Sequence, residues 1–230
     1  IGKALAIVLA NEGAHLILSA RSTDKLEQLQ EQLDGKHRIY PMDVANLDEV
    51  KSVTSAIEGS INRVIFLAAL YKPSAVIDMD IETAQQLVDV NLKGLLHITH
   101  VVLPRLQAQQ KGQLVLCGSV AGYTGLPNGQ PYSATKAATI NFAESLHAEV
   151  PEHVDIKLIS PGFVDTPMTA QNTFTMPMII SPEEAAAAIV KGLDQKSFEI
   201  HFPKRFTFIL KLLTVLPYWL KLFLTKKMSQ

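Results

Sequence analysis

Short runs of Val, Ile and Leu alternate along the chain with stretches whose apolar residues recur every three or four positions. This is the pattern of βαβ units on a mainly parallel sheet. Six runs read as strands: His15 to Ser19, Arg38 to Met42, Arg63 to Ala68, Gln113 to Gly118, Val154 to Ser160 and Phe198 to Phe202. Each is short and mainly apolar, as strands covered on both faces should be. Helix starts are legible between them. Ser22 stands before Thr23-Asp24-Lys25, Asn46 has Glu49 three residues on, Asp80 stands before Ile81, and Ser181 is followed by Pro182-Glu183-Glu184. In each case a side-chain oxygen is placed to accept from an unpaired amide of the first turn.

Ile1 to Asn11 has helical apolar spacing and runs out before Gly13. Right-handed crossover logic asks for a central strand before such a helix. The fold class is therefore α/β: a Rossmann-type doubly wound, mainly parallel sheet, with its first strand and glycine-rich loop missing. The opening Ile1-Gly2-Lys3-Ala4-Leu5-Ala6 has no methionine and begins in mid-pattern, which predicts that N-terminal residues are missing. No composition shift divides the chain before residue 202, so 1–202 reads as one domain.

A different pattern begins at residue 203. Within 203–230 lie Phe206, Phe208, Ile209, Leu212, Leu216, Trp219, Leu222 and Phe223, interrupted by Lys204, Arg205, Lys211, Lys221, Lys226 and Lys227. Pro217 should kink or split any helix here. Lys211, Pro217 and Lys221 sit badly in a membrane span, so residues 203–227 read as a basic amphipathic segment in peripheral contact with an anionic surface, or as an oligomer contact. Packing on the protein's own sheet is the alternative.

Composition narrows the chemistry. Lys and Arg number 21 against 22 Asp and Glu, so there is no basic footprint for nucleic acid. The single cysteine, Cys117, excludes an internal disulfide, and no paired Cys/His spacing offers a metal site. A cytoplasmic setting follows from that thiol usage, with the C-terminal segment allowing a position at a membrane surface. Gly118-Ser119-Val120-Ala121-Gly122 does not match the G-x-S-x-G elbow of a serine hydrolase, because the serine comes one position early.

The strongest constellation is Ser119, then Tyr132 thirteen positions on, then Lys136 four beyond that, with Asn91 upstream and Pro161-Gly162-Phe163-Val164-Asp165-Thr166 downstream. Residues i and i+4 share a helix face, so the Lys136 ammonium can lie near the Tyr132 phenol and favour its ionised form. A lone YxxxK would be an ordinary surface pair. In this company, from Ile1 to about Gly192, the chain resembles the short-chain dehydrogenase/reductase family.

That resemblance implies a hydride transfer between nicotinamide and a carbonyl or secondary alcohol. Tyr132 would be the general acid/base, Ser119 the hydrogen-bond partner of the substrate oxygen, and Lys136 a ligand of the nicotinamide ribose. Asn91, in Asp89-Val90-Asn91-Leu92-Lys93-Gly94, would kink its helix and support a water chain from the lysine. Gly2 would be the last glycine of the phosphate loop, where a helix N-terminus faces pyrophosphate. Asp43 and Val44 would contact adenine, while Pro161, Gly162, Val164 and Thr166 would border the nicotinamide.

After the second family strand, Ala20 stands where NAD-preferring members carry an acid, and Arg21 and Ser22 follow. A guanidinium beside a hydroxyl suits a 2′-phosphate, so NADP(H) is expected over NAD(H). The alternative for Arg21 is a solvated residue leading into a helix. The family's Asn-Asn-Ala-Gly is replaced by Phe66-Leu67-Ala68-Ala69. Ala68 and Ala69 remain small enough for the cofactor, but the change leaves open a non-catalytic NADP(H)-binding or redox-sensing protein. Met168, Phe174, Met176, Pro177, Met178, Ile179 and Ile180 lie where the family keeps its substrate lid, and either line an apolar pocket or pack the loop down. The family also implies a homodimer or homotetramer built on the helices that carry Asn91 and Tyr132.

Overall fold

The structure is a computed structural model that describes residues 1–227; Met228, Ser229 and Gln230, the end of the 203–230 segment, lie outside the described residues. All six predicted strands form: β1 (Ile17–Ala20), β2 (Arg38–Pro41), β3 (Arg63–Phe66), β4 (Gly112–Cys117), β5 (Val154–Pro161) and β6 (Glu199–Phe202). Every pairing between them is parallel. They fall into two sheets, β1 with β2 and a four-stranded sheet in the order β3-β4-β5-β6.

Among the described residues nine α-helices accompany them: α1 (Gly2–Asn11), α2 (Thr23–Gln30), α3 (Leu47–Ala56), α4 (Ile81–Val88), α5 (Gly94–Ala108), α6 (Tyr132–Glu149), α7 (Pro182–Leu193), α8 (Lys204–Val215) and α9 (Tyr218–Lys227). The four predicted caps are in place. Ser22, Asn46, Asp80 and Ser181 each accept from first-turn amides, and Ser181 with Glu184 completes a reciprocal capping box.

The central strands show why the sheet is wound on both sides. Leu114 and Leu116 of β4, with Ile156 and Leu158 of β5, enter one cluster with Leu95, Ile98, Val102 and Leu106 of α5 and Ala143 and Leu146 of α6. Val115 and Ile159, one residue out of step, enter the other with Ala4 and Leu5 of α1 and Ala185, Ala186 and Ile189 of α7. Period-two alternation thus feeds two apolar layers, one on each face. Double coverage stops at β1, where Ile17, Ser19 and Ala20 are exposed, contrary to the expectation of strands covered on both faces. β1 hydrogen-bonds only to β2 among the described residues, so it lacks the second neighbour that would bury it.

Pro217 splits the C-terminal segment as expected. α8 stops at Val215, Leu216 adopts an extended backbone (φ −73°, ψ 146°), and α9 begins at Tyr218. A residue before proline is driven out of the helical region. No helix among the described residues is long and apolar enough to cross a membrane.

Candidate active site

Because the strands run parallel, their carboxyl ends share one rim, the side on which open α/β sheets bind ligands. β4 leads through Gly118 to Ser119, whose extended backbone passes into a 3-10 turn, Val120–Gly122, and whose Oγ accepts the Ala121 amide at 3.1 Å. α6 opens at Tyr132, which puts the phenol and, one turn later, Lys136 on one face beside β4. The Ser119 side chain lies close enough to the Tyr132 phenol to lower its pKa. Lys136 is buried; its Nζ donates to the Cys117 carbonyl at 2.7 Å and lies 5.6 Å from the centre of the Tyr132 ring. Ser119, Tyr132 and Lys136 therefore meet at one place.

Electrostatics here differ from the expectation that Lys136 favours a phenolate. Burial holds the Tyr132 phenol above its ordinary value, reinforced by the Cys117 thiol and Tyr71 and opposed by the nearby Ser119. Burial also pushes the Lys136 ammonium down, against the pull of Cys117. The ammonium is engaged by the Cys117 carbonyl, and the loss of water around the phenol outweighs its field.

Asn91 is buried in a π-helical turn, Asp89–Lys93, between α4 and α5. Its Oδ1 accepts the Leu70 amide at 2.7 Å, and its Nδ2 donates to the Leu70 carbonyl at 2.9 Å and to Thr135 Oγ1 at 3.1 Å. Thr135 in turn donates to the Tyr132 carbonyl at 2.7 Å. The expected break in helical regularity is present, and the amide ties the loop after β3 to the helix that carries Tyr132 and Lys136.

The other rim residues take up the following positions. A Cβ on Gly2 would lie 3.7 Å from the Leu67 side chain, so α1 begins beside the end of β3. Arg21 is exposed at the end of β1, next to Ser22, whose hydroxyl caps α2. Asp43 closes a turn onto the Ala45 amide at 2.9 Å, and Val44 packs so closely on Gly94 that a Cβ there would come within 2.7 Å. Ala68 is exposed and Ala69 half-buried beyond β3, which ends at Phe66 rather than Ala68. Pro161 ends β5. A Cβ on Gly162 would lie 2.8 Å from the Phe206 ring. Buried Val164 bridges Ile180, and Thr166 Oγ1 lies 3.2 Å from Thr169 Oγ1. The α1 N-terminus, the exposed Arg21 guanidinium and the Lys136 ammonium are donors of the kind that a phosphorylated dinucleotide requires, and Ala68 and Ala69 leave room beyond β3.

A family model described as short chain dehydrogenase matches residues 1–176. The chain belongs to the short-chain dehydrogenase/reductase family. It is accordingly an oxidoreductase. An uncharacterized oxidoreductase of Staphylococcus aureus is 32% identical over 200 residues, covering 85% of this chain and 87% of that one. Serine dehydrogenase from Escherichia coli shares the fold at a TM-score of 0.78 and 21% identity, covering 87% of this chain and 91% of that one. An alcohol dehydrogenase from Thermococcus sibiricus, complexed with 5-hydroxy-NADP, does so at 0.79 and 24%, covering 87% and 90%.

Within this family member, Phe66 and Leu67 are absorbed by packing. Phe66 is buried in the α5–α6 layer, and Leu67 packs on the α1–α7 layer. Sequence reasoning passed over Tyr71, whose ring meets that of Tyr132 edge-on at 4.8 Å and whose hydroxyl donates to Asn172 Oδ1 at 2.5 Å in the segment after Thr166. It also passed over the special position of Gly122, where a Cβ would come within 2.6 to 2.8 Å of the Lys136 and Ala137 backbone. No local signal marks either residue, since both act through contacts distant in sequence. In the segment between Thr166 and Ser181, Phe174, Met178 and Ile179 are exposed, while Phe174 meets Phe163 edge-on at 5.7 Å. An apolar depression lined by Met79, Ile81, Ala84, Val88 and Pro131 runs along α4 and contains none of Ser119, Tyr132 and Lys136.

Proposed function

We propose that this oxidoreductase uses NADP(H) in preference to NAD(H) and interconverts an apolar carbonyl compound and its secondary alcohol. The observation that carries the reading is the meeting of the Ser119 hydroxyl, a half-buried Tyr132 and a buried Lys136 ammonium at the sheet rim. Nicotinamide, when bound, supplies or accepts the hydride. Ser119 holds the substrate oxygen by a hydrogen bond, and Tyr132 gives its Oη proton to that oxygen in reduction or takes it back in oxidation. Lys136 holds the ribose and fixes the charge beside the phenol. Asn91 acts through position, holding the loop after β3 against α6. Gly2, Asp43, Val44, Ala68, Ala69, Pro161, Gly162, Val164 and Thr166 shape the cofactor's bed, with Arg21 and Ser22 at the 2′-phosphate. The assembly is a homodimer or homotetramer in a cytoplasmic setting.

The test is NADPH oxidation against a panel of aliphatic, aromatic and steroidal carbonyls. Tyr132→Phe should lower turnover by about 10²–10⁴-fold while leaving NADPH binding intact. Arg21→Ala should raise the KM for NADPH and leave that for NADH nearly unchanged. Turnover that survives Tyr132→Phe defeats the catalytic assignment. NADPH binding with no turnover on any carbonyl favours a redox-sensing protein, the reading that Phe66-Leu67 motivates.

A further inference from the structure

We propose that α8 and α9 dock this protein on an anionic lipid surface, lying in its plane. The inference is independent of the reductase reading and rests on what the two helices turn outward. α8 is apolar on both sides. Phe206 and Leu210 are buried inward with Val120, and Phe163 and Tyr123 pack against them, whereas Phe208, Ile209, Leu212 and Val215 are exposed at helical spacing on the opposite side. Leu212 is 62% exposed and Val215 76%. α9 continues the feature with exposed Tyr218, Trp219, Leu222 and Phe223, Tyr218 and Trp219 at 74% each.

The inner face is tethered, so α8 cannot simply roll its outer face under. Lys211, the cation that interrupts the apolar run, turns inward to pair with Glu199, which also accepts from Tyr123. His201 is bonded to Thr207 at 2.6 Å, and Phe206 is seated on Gly162. The outward stripe of α8 is therefore left without a charge from Phe208 to Val215.

Charge identifies the occupant. Residues 203–227 hold six of the 21 basic residues and none of the 22 acidic ones, so the remainder of the chain carries an acidic excess while this segment is uniformly cationic. Lys221 lies over the Tyr218 ring at 4.3 Å and Lys227 over Phe223 at 4.7 Å, which places ammonium groups beside the exposed rings. Apolar side chains flanked by lysines, with Trp and Tyr at the boundary, match a headgroup region of negative potential over an acyl interior. Neither helix, at 12 and 10 residues, is long enough to span.

Trp219 is the only tryptophan, so its emission reports its own insertion. With the full chain, vesicles containing phosphatidylglycerol should shift that emission to the blue and carry the protein upward in flotation. Pure phosphatidylcholine vesicles should do so weakly, and added salt should reduce binding to the anionic vesicles. Leu212→Ser with Leu222→Ser should cut partitioning by at least about tenfold, judged by apolar area lost. NADPH binding and near-UV dichroism matching the parent would show that this variant folds. Unshifted emission, or flotation unaffected by the double substitution, overturns the proposal. So does an emission shift that follows protein concentration alone, which would assign the face to a second copy of the chain.

Discussion

The Tyr132 phenol ionises only against its surroundings, because burial raises its pKa above the ordinary tyrosine value near 10. Burial raises Tyr71 as well, and it raises Tyr123 together with the bond to Glu199. The phenol of Tyr132 thus stays protonated through neutral pH, the state needed to give a proton to a carbonyl oxygen, whereas alcohol oxidation needs the deprotonated form. Carbonyl reduction is expected to hold level from about pH 6 to about pH 9 while oxidation climbs with pH, measured as initial rates in both directions. Reduction that declines across that range would contradict it. The same shifts act on stability with a definite sign. The folded chain holds these three protons more tightly than the unfolded one, so the contribution is fully present below about pH 10 and is lost as pH rises through the folded values. The urea midpoint should therefore fall above that pH, and less steeply in Tyr132→Phe.

Elements meet at the site through two close approaches, and glycine is required at both. At Gly122 the 3-10 turn after Ser119 lies directly on the α6 backbone, so an added methyl would collide with Lys136 and Ala137 main-chain atoms that cannot turn aside. Gly122→Ala should separate Ser119 from Tyr132 and reduce kcat by about 10²-fold or more, with a stability cost of about 1–3 kcal/mol; urea unfolding and turnover measured together check it. At Gly162, between β5 and α8, an added methyl would meet the Phe206 ring at 2.8 Å and the Phe202 carbonyl at 3.2 Å. Neither role was legible in the sequence, because a collision depends on which distant backbone lies opposite. What was legible is local in origin. Tyr132 and Lys136 share a face because four residues make about one helical turn, and Ser181 with Glu184 announces a cap whatever surrounds it. The end of β3 was misplaced for the opposite reason. Ala68 continues the small apolar run, but pairing with β4 stops at Phe66, and the Leu70 backbone is taken by Asn91 far along the chain.

Across the whole molecule, coverage is uneven. β4 and β5 are paired on both sides and packed by helices on both faces, with Leu114, Val115, Leu116, Ile156 and Ile159 almost fully buried. Among the described residues β1 and β2 pair only with each other, and the buried apolar residues beside them are Leu26, Leu33 and Met42. The rim residues assigned to the adenosine end, Arg21, Ser22, Asp43 and Val44, leave these lightly held strands, whereas Ser119, Tyr132 and Lys136 are mounted on the deep core. Opening free energy follows local burial, so the β1–β2 unit should open without unfolding the four-stranded sheet. Hydrogen exchange is expected to show amides of β1 and β2 exchanging at least about tenfold faster than those of β4 and β5, a gap of about 1.4 kcal/mol or more. Saturating NADPH should slow β1 and β2 selectively, since a ligand that joins both units stabilises the weaker one most. Uniform protection across all six strands would show that the two sheets unfold as one.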